Sequence, residues 1–252
     1  MAIRALVFDV DGTLAETEEL HRQSFNQTFA EHGLNWVWDH SLYTELLGTT
    51  GGRERIVSYA QMAGQNVDPD LLHARKTEIY NLKIKEGLIS LRPGVVELIE
   101  HATQEGLMLA IGTTTSRANV VSLLHKTLGP RSLDLFSSIR TGEDVRAKKP
   151  DPEVYRLVLS DLGVEGCECL CIEDSRNGLM AARAVGMRTV ITASLFTSHE
   201  DFSGADLILR NLATPWSSAE FNPYTSMMNQ PLEVSRLLRR AGGRSGGRRT
   251  DA

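Results

Sequence analysis

Short apolar runs alternate along most of this chain with stretches of about 10 residues that have the composition of helices. The runs lie at 3–8, 107–111, 168–172, 189–192 and 206–209, with a weaker one at 138–140. The helix-like stretches lie at 95–104, 118–127, 152–162 and 177–185. Strands that alternate with helices in this way form right-handed βαβ units. The alternation therefore predicts an α/β fold with a mainly parallel sheet that is covered on both faces.

Residues 16–88 interrupt this alternation, because they are rich in helix formers and contain no convincing strand. Helices are predicted at 16–32, 41–47, 53–63 and 69–85. We interpret the segment 16–88 as a helical cap inserted into a core of residues 1–15 and 89–240, with hinges near 14–17 and 87–93. A closing helix is predicted at 231–240, and we expect the Gly- and Arg-rich tail at 241–252 to be disordered.

Charge and composition exclude several classes of partner. The net charge is −5 and no broad basic field is present, so we expect no nucleic-acid partner. No apolar run approaches the roughly 20 residues of a membrane helix, and the N-terminus does not resemble a secretion signal. Three closely spaced cysteines, at 167, 169 and 171, are a poor disulfide framework and favour inert packing in a reducing cytoplasm. We expect a cytoplasmic monomer.

Two carboxylates end the first apolar run. Asp9 and Asp11 are two residues apart, so on a strand they point the same way, with α-carbons about 6.5–7 Å apart. In open parallel sheets that position, beyond the carboxyl end of a strand, is the ligand crevice. Gly12 permits a tight turn there. Two adjacent carboxylates repel each other unless a cation intervenes, and Mg²⁺ prefers oxygen ligands. The alternative is that both acids merely form a turn or a helix cap.

Further polar groups are expected at the same edge of the sheet. Thr113-Thr114-Thr115-Ser116 follows the second apolar run, Lys148-Lys149-Pro150 precedes a helix, and Glu173-Asp174-Ser175 follows the strand predicted at 168–172. Together with the first pair, these segments bring acid, hydroxyl and lysine to one place. Their convergence favours a catalytic site over a simple turn.

The chemistry of these groups assigns a role to each. A carboxylate can attack phosphorus to give an acyl-phosphate, and Asp9 is the better fixed candidate. Asp11 can then act as general acid and base. We expect Asp9, Asp174 and Asp11, the last through its carbonyl, to hold Mg²⁺ with Glu173 close by. Lys149 would add positive charge, and the Thr113 hydroxyl with nearby amides would hold the phosphoryl oxygens.

The order D-x-D-G-T, a hydroxyl after a strand, K-P and E-D-S resembles the haloacid dehalogenase superfamily of phosphohydrolases and phosphomutases. The resemblance covers nearly the whole chain. It implies a Rossmann-like core, an aspartyl-phosphate intermediate and Mg²⁺. A helical insert directly after the first motif resembles the cap shared by β-phosphoglucomutase and phosphoglycolate phosphatase.

The cap carries a narrower resemblance. DGTLAETEELH, NWVWD and TTGGRERI are similar to segments of the CbbY-type phosphatases, a family associated with the Calvin cycle. That family is similar to phosphatases that remove xylulose 1,5-bisphosphate, an inhibitor of Rubisco. The resemblance implies that substrate is contacted by Glu18, His21, Tyr43, Gly51, Gly52, Arg53, Arg55 and Lys76. We also expect contacts from the hydroxyl-bearing loop, that is Thr114, Thr115 and Ser116.

The residues of the cap support two interpretations by themselves. The turn TTGGRER runs into a helix with Arg53 and Arg55, which makes either an anion cradle or a solvated helix start. Glu18 and His21 share a helical face, and Lys76 lies in a charged helix whose default is solvation. Trp36 and Trp38 favour packing within the cap over ligand stacking.

The sequence thus predicts a Mg²⁺-dependent phosphatase of a small phosphorylated sugar, with a pentulose bisphosphate as its substrate. A phosphomutase or a phosphoglycolate phosphatase on the same fold is the alternative. A binding protein without catalysis is a third hypothesis, against which the intact acids argue.

Overall fold

The computed structural model of the chain describes residues 2–213. Its strands are β1 (Ala5–Phe8), β2 (Met108–Gly112), β3 (Ser138–Arg140), β4 (Cys169–Glu173), β5 (Arg188–Thr192) and β6 (Leu207–Leu209). Its helices are α1 (Glu18–Glu31), α2 (His40–Leu46), α3 (Gly52–Met62), α4 (Pro69–Lys85), α5 (Val95–Gln104), α6 (Arg117–Leu128), α7 (Glu153–Leu162) and α8 (Arg176–Ala184). The helix predicted at 231–240 and the tail at 241–252 lie outside the described residues.

The six strands form one sheet in the order β3-β2-β1-β4-β5-β6, with every neighbouring pair parallel. The first strand is central: Ala5 pairs with Met108 of β2 on one side and with Cys169 of β4 on the other. This arrangement confirms the predicted α/β fold with a parallel sheet. It also brings the carboxyl ends of β1, β2 and β4 side by side.

Both faces of the sheet are buried under helices. Leu6 and Phe8 of β1 pack in one cluster with Leu98 of α5 and Val120 of α6. The alternate residues Ala5 and Val7 pack on the opposite face, in a cluster with Tyr155 of α7 and Ala181 of α8. Because side chains alternate along a strand, β1 contributes to two hydrophobic layers and is held from both sides.

The predicted elements differ from the observed ones by one or two residues at several ends. The largest differences, of two residues each, are at the start of β1, which begins at Ala5 and not at residue 3, and at the start of α1, which begins at Glu18 and not at residue 16. Ala15 forms isolated bridges with Asp11 and Leu91, and the Arg92 amide donates to the Leu14 carbonyl at 2.8 Å. The two segments that connect the first four helices to the sheet therefore run side by side.

Helices α1 to α4 occupy the segment between β1 and β2, where the sequence predicts the cap. An aromatic cluster fills their interior: the ring of Trp38 lies 4.7 Å from that of Phe25 and 4.8 Å from that of Phe29. Trp36 and Trp38 are both buried, which confirms packing over ligand stacking. The division into core and cap as separate units stays a prediction.

The three cysteines have different surroundings. Cys169 and Cys171 are buried in β4, as expected for inert packing, and burial raises the pKa of Cys169 to about 12. The expectation fails for Cys167, which is exposed because it lies in a short 3-10 turn at Gly166–Glu168, before the strand begins. Between Ala2 and Ala213, none of the helices is both long and apolar enough to span a membrane.

Shortening a side chain in the central strand should destabilise the whole sheet. Leu6 is fully buried, so we expect Leu6→Ala to lower the free energy of unfolding by about 2–5 kcal/mol through lost burial and the cavity left behind. Urea denaturation followed by circular dichroism measures the change. Leu88 is 60% exposed, so Leu88→Ala serves as the control, with an expected change within about 0.5 kcal/mol. Equal losses for the two variants would contradict the assignment.

Candidate active site

The carboxyl edge of the sheet carries the site. Asp9 follows β1 directly, Thr113 follows β2, and Asp174 follows β4. The chain leaves β1 through Gly12, which has a φ of 78° in the left-handed region. A Cβ at Gly12 would lie 2.1 Å from Asp174 Oδ2, so only glycine lets these two strand ends approach each other.

A buried ammonium joins the acids of two strands. Lys149 Nζ donates to Asp9 Oδ1 at 2.7 Å, to Glu173 Oε1 at 2.6 Å and to the carbonyl oxygen of Gly112 at 2.8 Å. These three acceptors use all three N–H groups of the ammonium. Burial acts to lower the pKa of Lys149, but Asp9 and Glu173 raise it overall, which keeps the lysine charged. Burial raises the pKa of Asp9 to about 7, with Lys149 acting in the opposite direction.

Glu173 is enclosed by the protein on every side. Its Oε1 also accepts a hydrogen bond from the Tyr155 hydroxyl at 2.5 Å, and its Oε2 accepts from the Asp174 amide at 3.1 Å. A Cβ at Gly178 would lie 1.9 Å from Glu173 Cδ, so the carboxylate rests on the backbone of α8. Since both oxygens have protein donors, Glu173 positions Lys149 and the start of α8.

Asp9, Glu173 and Asp174 offer oxygen atoms that all lie within 4.8 Å of one another, and this group could hold a metal ion. Asp174 Oδ2 accepts from the Thr197 hydroxyl at 3.1 Å. Burial, followed by the charges of Glu173 and Asp9, raises the pKa of Asp174 well above its usual range. A buried oxygen-rich group with more acid than base fits a hard divalent cation such as Mg²⁺.

Asp11 faces away from this cluster, toward α1. Its Oδ1 accepts hydrogen bonds from the Thr17 hydroxyl at 2.6 Å and from His21 Nε2 at 3.0 Å. Because a carboxylate can only accept, Nε2 carries the proton and Nδ1 accepts from Lys76 Nζ at 2.6 Å. Burial acts to raise the pKa of Asp11, but His21, Thr17 and Lys76 lower it overall.

The ring of His21 stacks on that of Tyr80 with centroids 4.1 Å apart, which fixes the ring between its two partners. Burial lowers the pKa of Lys76 to about 7, with Asp11 and Glu18 acting in the opposite direction. A solvated position, which is the default for a lysine of a charged helix, is therefore wrong for Lys76. Its side chain is buried and contacts His21.

The loop after β2 presents hydroxyl and amide groups. Thr113 is buried, and its hydroxyl accepts from the Thr115 amide at 3.3 Å. Ser116 caps α6 by accepting from the Asn119 amide. The Asn119 side-chain amide donates to the Thr115 hydroxyl at 3.0 Å, which fixes the loop.

Two of the predicted cap residues, Tyr43 and Arg55, are buried and hydrogen-bonded within the protein, whereas Arg53 lies at the surface. The Tyr43 hydroxyl donates to Glu18 Oε2 at 2.6 Å and accepts from Arg55 Nη1 at 3.1 Å. Arg55 also donates to the carbonyl oxygens of Leu46 and Thr49, so its guanidinium braces the turn before α3. Arg53 is half exposed and forms a two-point ion pair with Asp70, at 2.6 and 3.0 Å.

These side chains surround a cavity of about 410 Å³ between the sheet edge and helices α1, α3 and α4. The predicted residues that line it are Asp9, Asp11, Glu18, His21, Gly51, Gly52, Arg53, Arg55, Lys76, Thr113, Thr114, Thr115, Ser116, Lys149 and Asp174. Tyr43 and Glu173 are not among its lining residues. They lie behind the lining residues and are hydrogen-bonded to them, Tyr43 to Glu18 and Arg55, and Glu173 to Lys149.

The sequence motifs do not identify every residue that lines the cavity. His73 precedes Lys76 by three residues on α4, a helical spacing that could have revealed it. Burial, and then the charges of Lys76 and Lys148, lower the pKa of His73 to about 4. Asn177, three residues after Asp174, donates to the Thr50 hydroxyl at 2.9 Å across the cavity mouth. No local pattern signals that contact, since 127 positions separate the pair.

Comparison with known proteins gives the class. The profile of the haloacid dehalogenase-like hydrolases matches residues 6–192, which include β1 apart from its first residue, β2 to β5 and all eight described helices. The chain belongs to this family of hydrolases. The resemblance found in its four motifs is thereby confirmed.

Within that class the chain groups with CbbY. Protein CbbY of Rhodobacter capsulatus is 47% identical over 222 residues, which cover 87% of this chain and 98% of that protein. A crystal structure of CbbY from Rhodobacter sphaeroides with phosphate is 44% identical, with a TM-score of 0.81 over 84% of this chain and 96% of that one. A variant of the same protein was crystallised with xylulose 1,5-bisphosphate.

A mutase shares the architecture at lower identity. β-Phosphoglucomutase from Clostridium difficile is 20% identical, with a TM-score of 0.71 over 83% of this chain and 92% of that one. At this identity the likeness concerns the fold alone.

The contacts of Lys149 predict a pH-dependent loss of stability when the ammonium is removed. In Lys149→Met, Asp9 and Glu173 would be left buried without a cation, which should cost about 3–5 kcal/mol at pH 7.5. Burial raises the pKa of Asp9 to about 7 in the wild type even though Lys149 acts to lower it. Loss of the ammonium raises this pKa further, so the two proteins differ in the charge of Asp9 only from about pH 7 upward. The loss should therefore shrink at pH 5, where Asp9 takes up a proton.

Urea denaturation in EDTA at both pH values measures this difference. Lys85→Met removes an exposed lysine at the end of α4 and should change stability by less than about 0.5 kcal/mol at either pH. A loss of the same size at pH 5 and pH 7.5 would contradict the charge argument.

Proposed function

We propose that this chain is a Mg²⁺-dependent phosphatase that converts xylulose 1,5-bisphosphate to xylulose 5-phosphate and inorganic phosphate. The observation that carries the proposal is the pair Asp9 and Asp11 at one end of a cavity whose far walls belong to α3 and α4. The close CbbY relative that binds this bisphosphate supports the choice of substrate.

Asp9 is the proposed nucleophile. Lys149 holds Oδ1 at 2.7 Å, and the second oxygen belongs to a side chain that lines the cavity. Attack of this oxygen on phosphorus forms an acyl-phosphate and breaks the bond between phosphorus and the sugar oxygen. The charge of Lys149 also stabilises negative charge that develops on the phosphoryl group.

Asp11 is the proposed general acid and base. It gives a proton to the departing sugar oxygen and later takes one from the water that attacks the acyl-phosphate. Its hydrogen bonds with Thr17 and His21 and the nearby charge of Lys76 favour the carboxylate, which is the form required in the second half-reaction. An anionic substrate in the cavity would act against these charges and favour the protonated form required first.

The loop after β2 is proposed to hold the phosphoryl oxygens, through the Thr113 hydroxyl and the amides of Thr114 and Thr115. Asp9, Asp174 and the carbonyl of Asp11 would hold Mg²⁺, while Glu173 acts through Lys149 and Asp174. When bound, Mg²⁺ supplies positive charge that screens the acids from an anionic substrate and stabilises the transferred group.

The retained phosphate is proposed to lie against the cap, at the N-terminus of α3. The amides of Gly51 and Gly52 there, with Arg53 beside them, form an anion-binding site. Arg55 already donates to three protein oxygens, so we assign it the role of positioning Tyr43 and Glu18. Glu18, His21 and Lys76 would contact the sugar hydroxyls.

Removing the proposed nucleophile should abolish turnover. We expect Asp9→Asn to lower the rate of phosphate release about 10³-fold or more, because the amide cannot form the acyl-phosphate. Release of free phosphate from xylulose 1,5-bisphosphate measures this, and circular dichroism verifies folding. Asp134→Asn removes an exposed acid and should keep the full rate. Retained activity in Asp9→Asn would remove Asp9 as nucleophile, and wild-type turnover without net phosphate release would indicate a mutase.

The metal requirement gives a separate prediction. EDTA should stop phosphate release and Mg²⁺ should restore it, whereas Ca²⁺, which demands more ligands and longer bonds, should not. Asp174→Asn should raise the Mg²⁺ concentration for half-maximal rate by about tenfold or more. Full activity in EDTA, or an unchanged Mg²⁺ requirement in Asp174→Asn, would contradict the proposed metal centre.

A further inference from the structure

The loop after β5 belongs to the core in sequence but reaches into the cap. Phe196 in this loop is 5% exposed and packs within the aromatic cluster of α1 to α3. Its ring stacks on that of His40, with centroids 5.2 Å apart and an interplanar angle of 6°. Its edge contact with Tyr43 has centroids 5.6 Å apart at 87°. Phe196 is thus buried by residues of the inserted helices.

Thr197, the residue after Phe196, is hydrogen-bonded to Asp174, an acid of the proposed metal site. The Thr197 hydroxyl donates to Asp174 Oδ2 at 3.1 Å and accepts from the Ser194 amide at 2.9 Å. Thr197 is buried, so its hydrogen bond to Asp174 is not exchanged readily with water. Two consecutive side chains therefore connect the cap to Asp174.

In the cap, the contact of Phe196 with Tyr43 connects to residues that line the cavity. The hydroxyl of Tyr43 is bonded to Glu18 and to Arg55. Phe196 therefore contacts Tyr43, whose hydroxyl is hydrogen-bonded to two lining side chains of the cap.

We propose that Phe196 is a positioning residue that couples closure of the cap to the orientation of Asp174, through the Thr197 hydroxyl. This inference rests on the proposed function and extends it by naming how the two halves of the site are aligned. When the ring of Phe196 leaves the aromatic cluster, the short loop Ser194–Thr197 shifts and Asp174 loses a hydrogen-bond donor. Closure of the cap and completion of the metal site then occur together.

The sharpest test compares neighbouring residues. Phe196→Ala should raise the dissociation constant for Mg²⁺ by about tenfold, as expected when a supporting contact of a metal ligand is lost. Isothermal titration calorimetry measures this without substrate or turnover. Leu195→Ala is the matched control, because Leu195 is 81% exposed, and it should bind Mg²⁺ within about twofold of wild type. Unchanged affinity in Phe196→Ala, or an equal loss in Leu195→Ala, would overturn the proposal.

A second measurement, made on the cap, distinguishes coupling between the cap and the metal site from damage that is confined to the loop after β5. In a Trp216→Phe background, fluorescence reports only Trp36 and Trp38, which lie in the aromatic cluster. Addition of Mg²⁺ should change this emission in the parent protein and leave it unchanged in Phe196→Ala. A response of the same size in both would overturn the proposal.

Two milder variants guard against loss of folding. Phe196→Leu keeps an apolar side chain and should restore most of the Mg²⁺ affinity. Thr197→Val removes the hydroxyl with little change of shape and should reproduce the weakened Mg²⁺ binding. Thr197→Val with wild-type affinity would overturn the proposed path.

The two proposals can fail separately. If the wild-type protein releases no phosphate from xylulose 1,5-bisphosphate but the Mg²⁺ affinities follow the pattern above, the substrate assignment fails and the coupling holds. If turnover is normal and the affinities of Phe196→Ala and wild type agree, the coupling fails and the phosphatase holds.

Discussion

The buried ammonium of Lys149 is the interaction on which the rest of the site depends. Asp9 and Glu173 end neighbouring strands of one parallel sheet, so the fold itself forces two carboxylates together where water is excluded. Such a pair is stable only with a cation between its members. Lys149 supplies it and is anchored on the Gly112 carbonyl of a third strand, so one side chain joins β1, β2 and β4. The position of Asp9, the proposed nucleophile, is therefore set by charge as well as by packing.

Glycine makes this concentration of charge geometrically possible. Asp174 lies against the backbone at Gly12 and Glu173 against that at Gly178, each so close that a Cβ would overlap the carboxylate. Each acid thus packs directly on a peptide group on one side and keeps side-chain hydrogen bonds on the other, Glu173 with Lys149 and Tyr155 and Asp174 with Thr197. A purely electrostatic account of the site would miss this, because the residues responsible have no side chain at all.

Residues near each other in sequence were predicted well, and distant partners were not. The alternation of apolar runs gave the parallel sheet, and the D-x-D-G-T, K-P and E-D-S segments gave the acids and Lys149, because strand ends converge by topology alone. The roles of Arg55 and Tyr43 could not be read in the same way. Arg55 looks like an anion ligand in the turn TTGGRER, yet three of its five N–H groups are used by Leu46, Thr49 and Tyr43. The partners of Arg55 are set by the packing of α2 against α3, and sequence spacing does not describe that packing.

The contacts between core and cap follow a common physical rule. Phe196 of the loop after β5 contacts His40 and Tyr43 of α2, and Asn177 of α8 contacts Thr50 in the turn before α3. The aromatic contact is apolar and buried, so it stabilises the packing of the loop after β5 on α2 without using a polar group of the cavity. The polar contact joins two residues that line the cavity, so a ligand with hydrogen-bonding groups can compete for it. Because the apolar contact does not depend on such a ligand, it is the one that can support the proposed coupling through Phe196, whereas the polar contact responds directly to what the cavity holds.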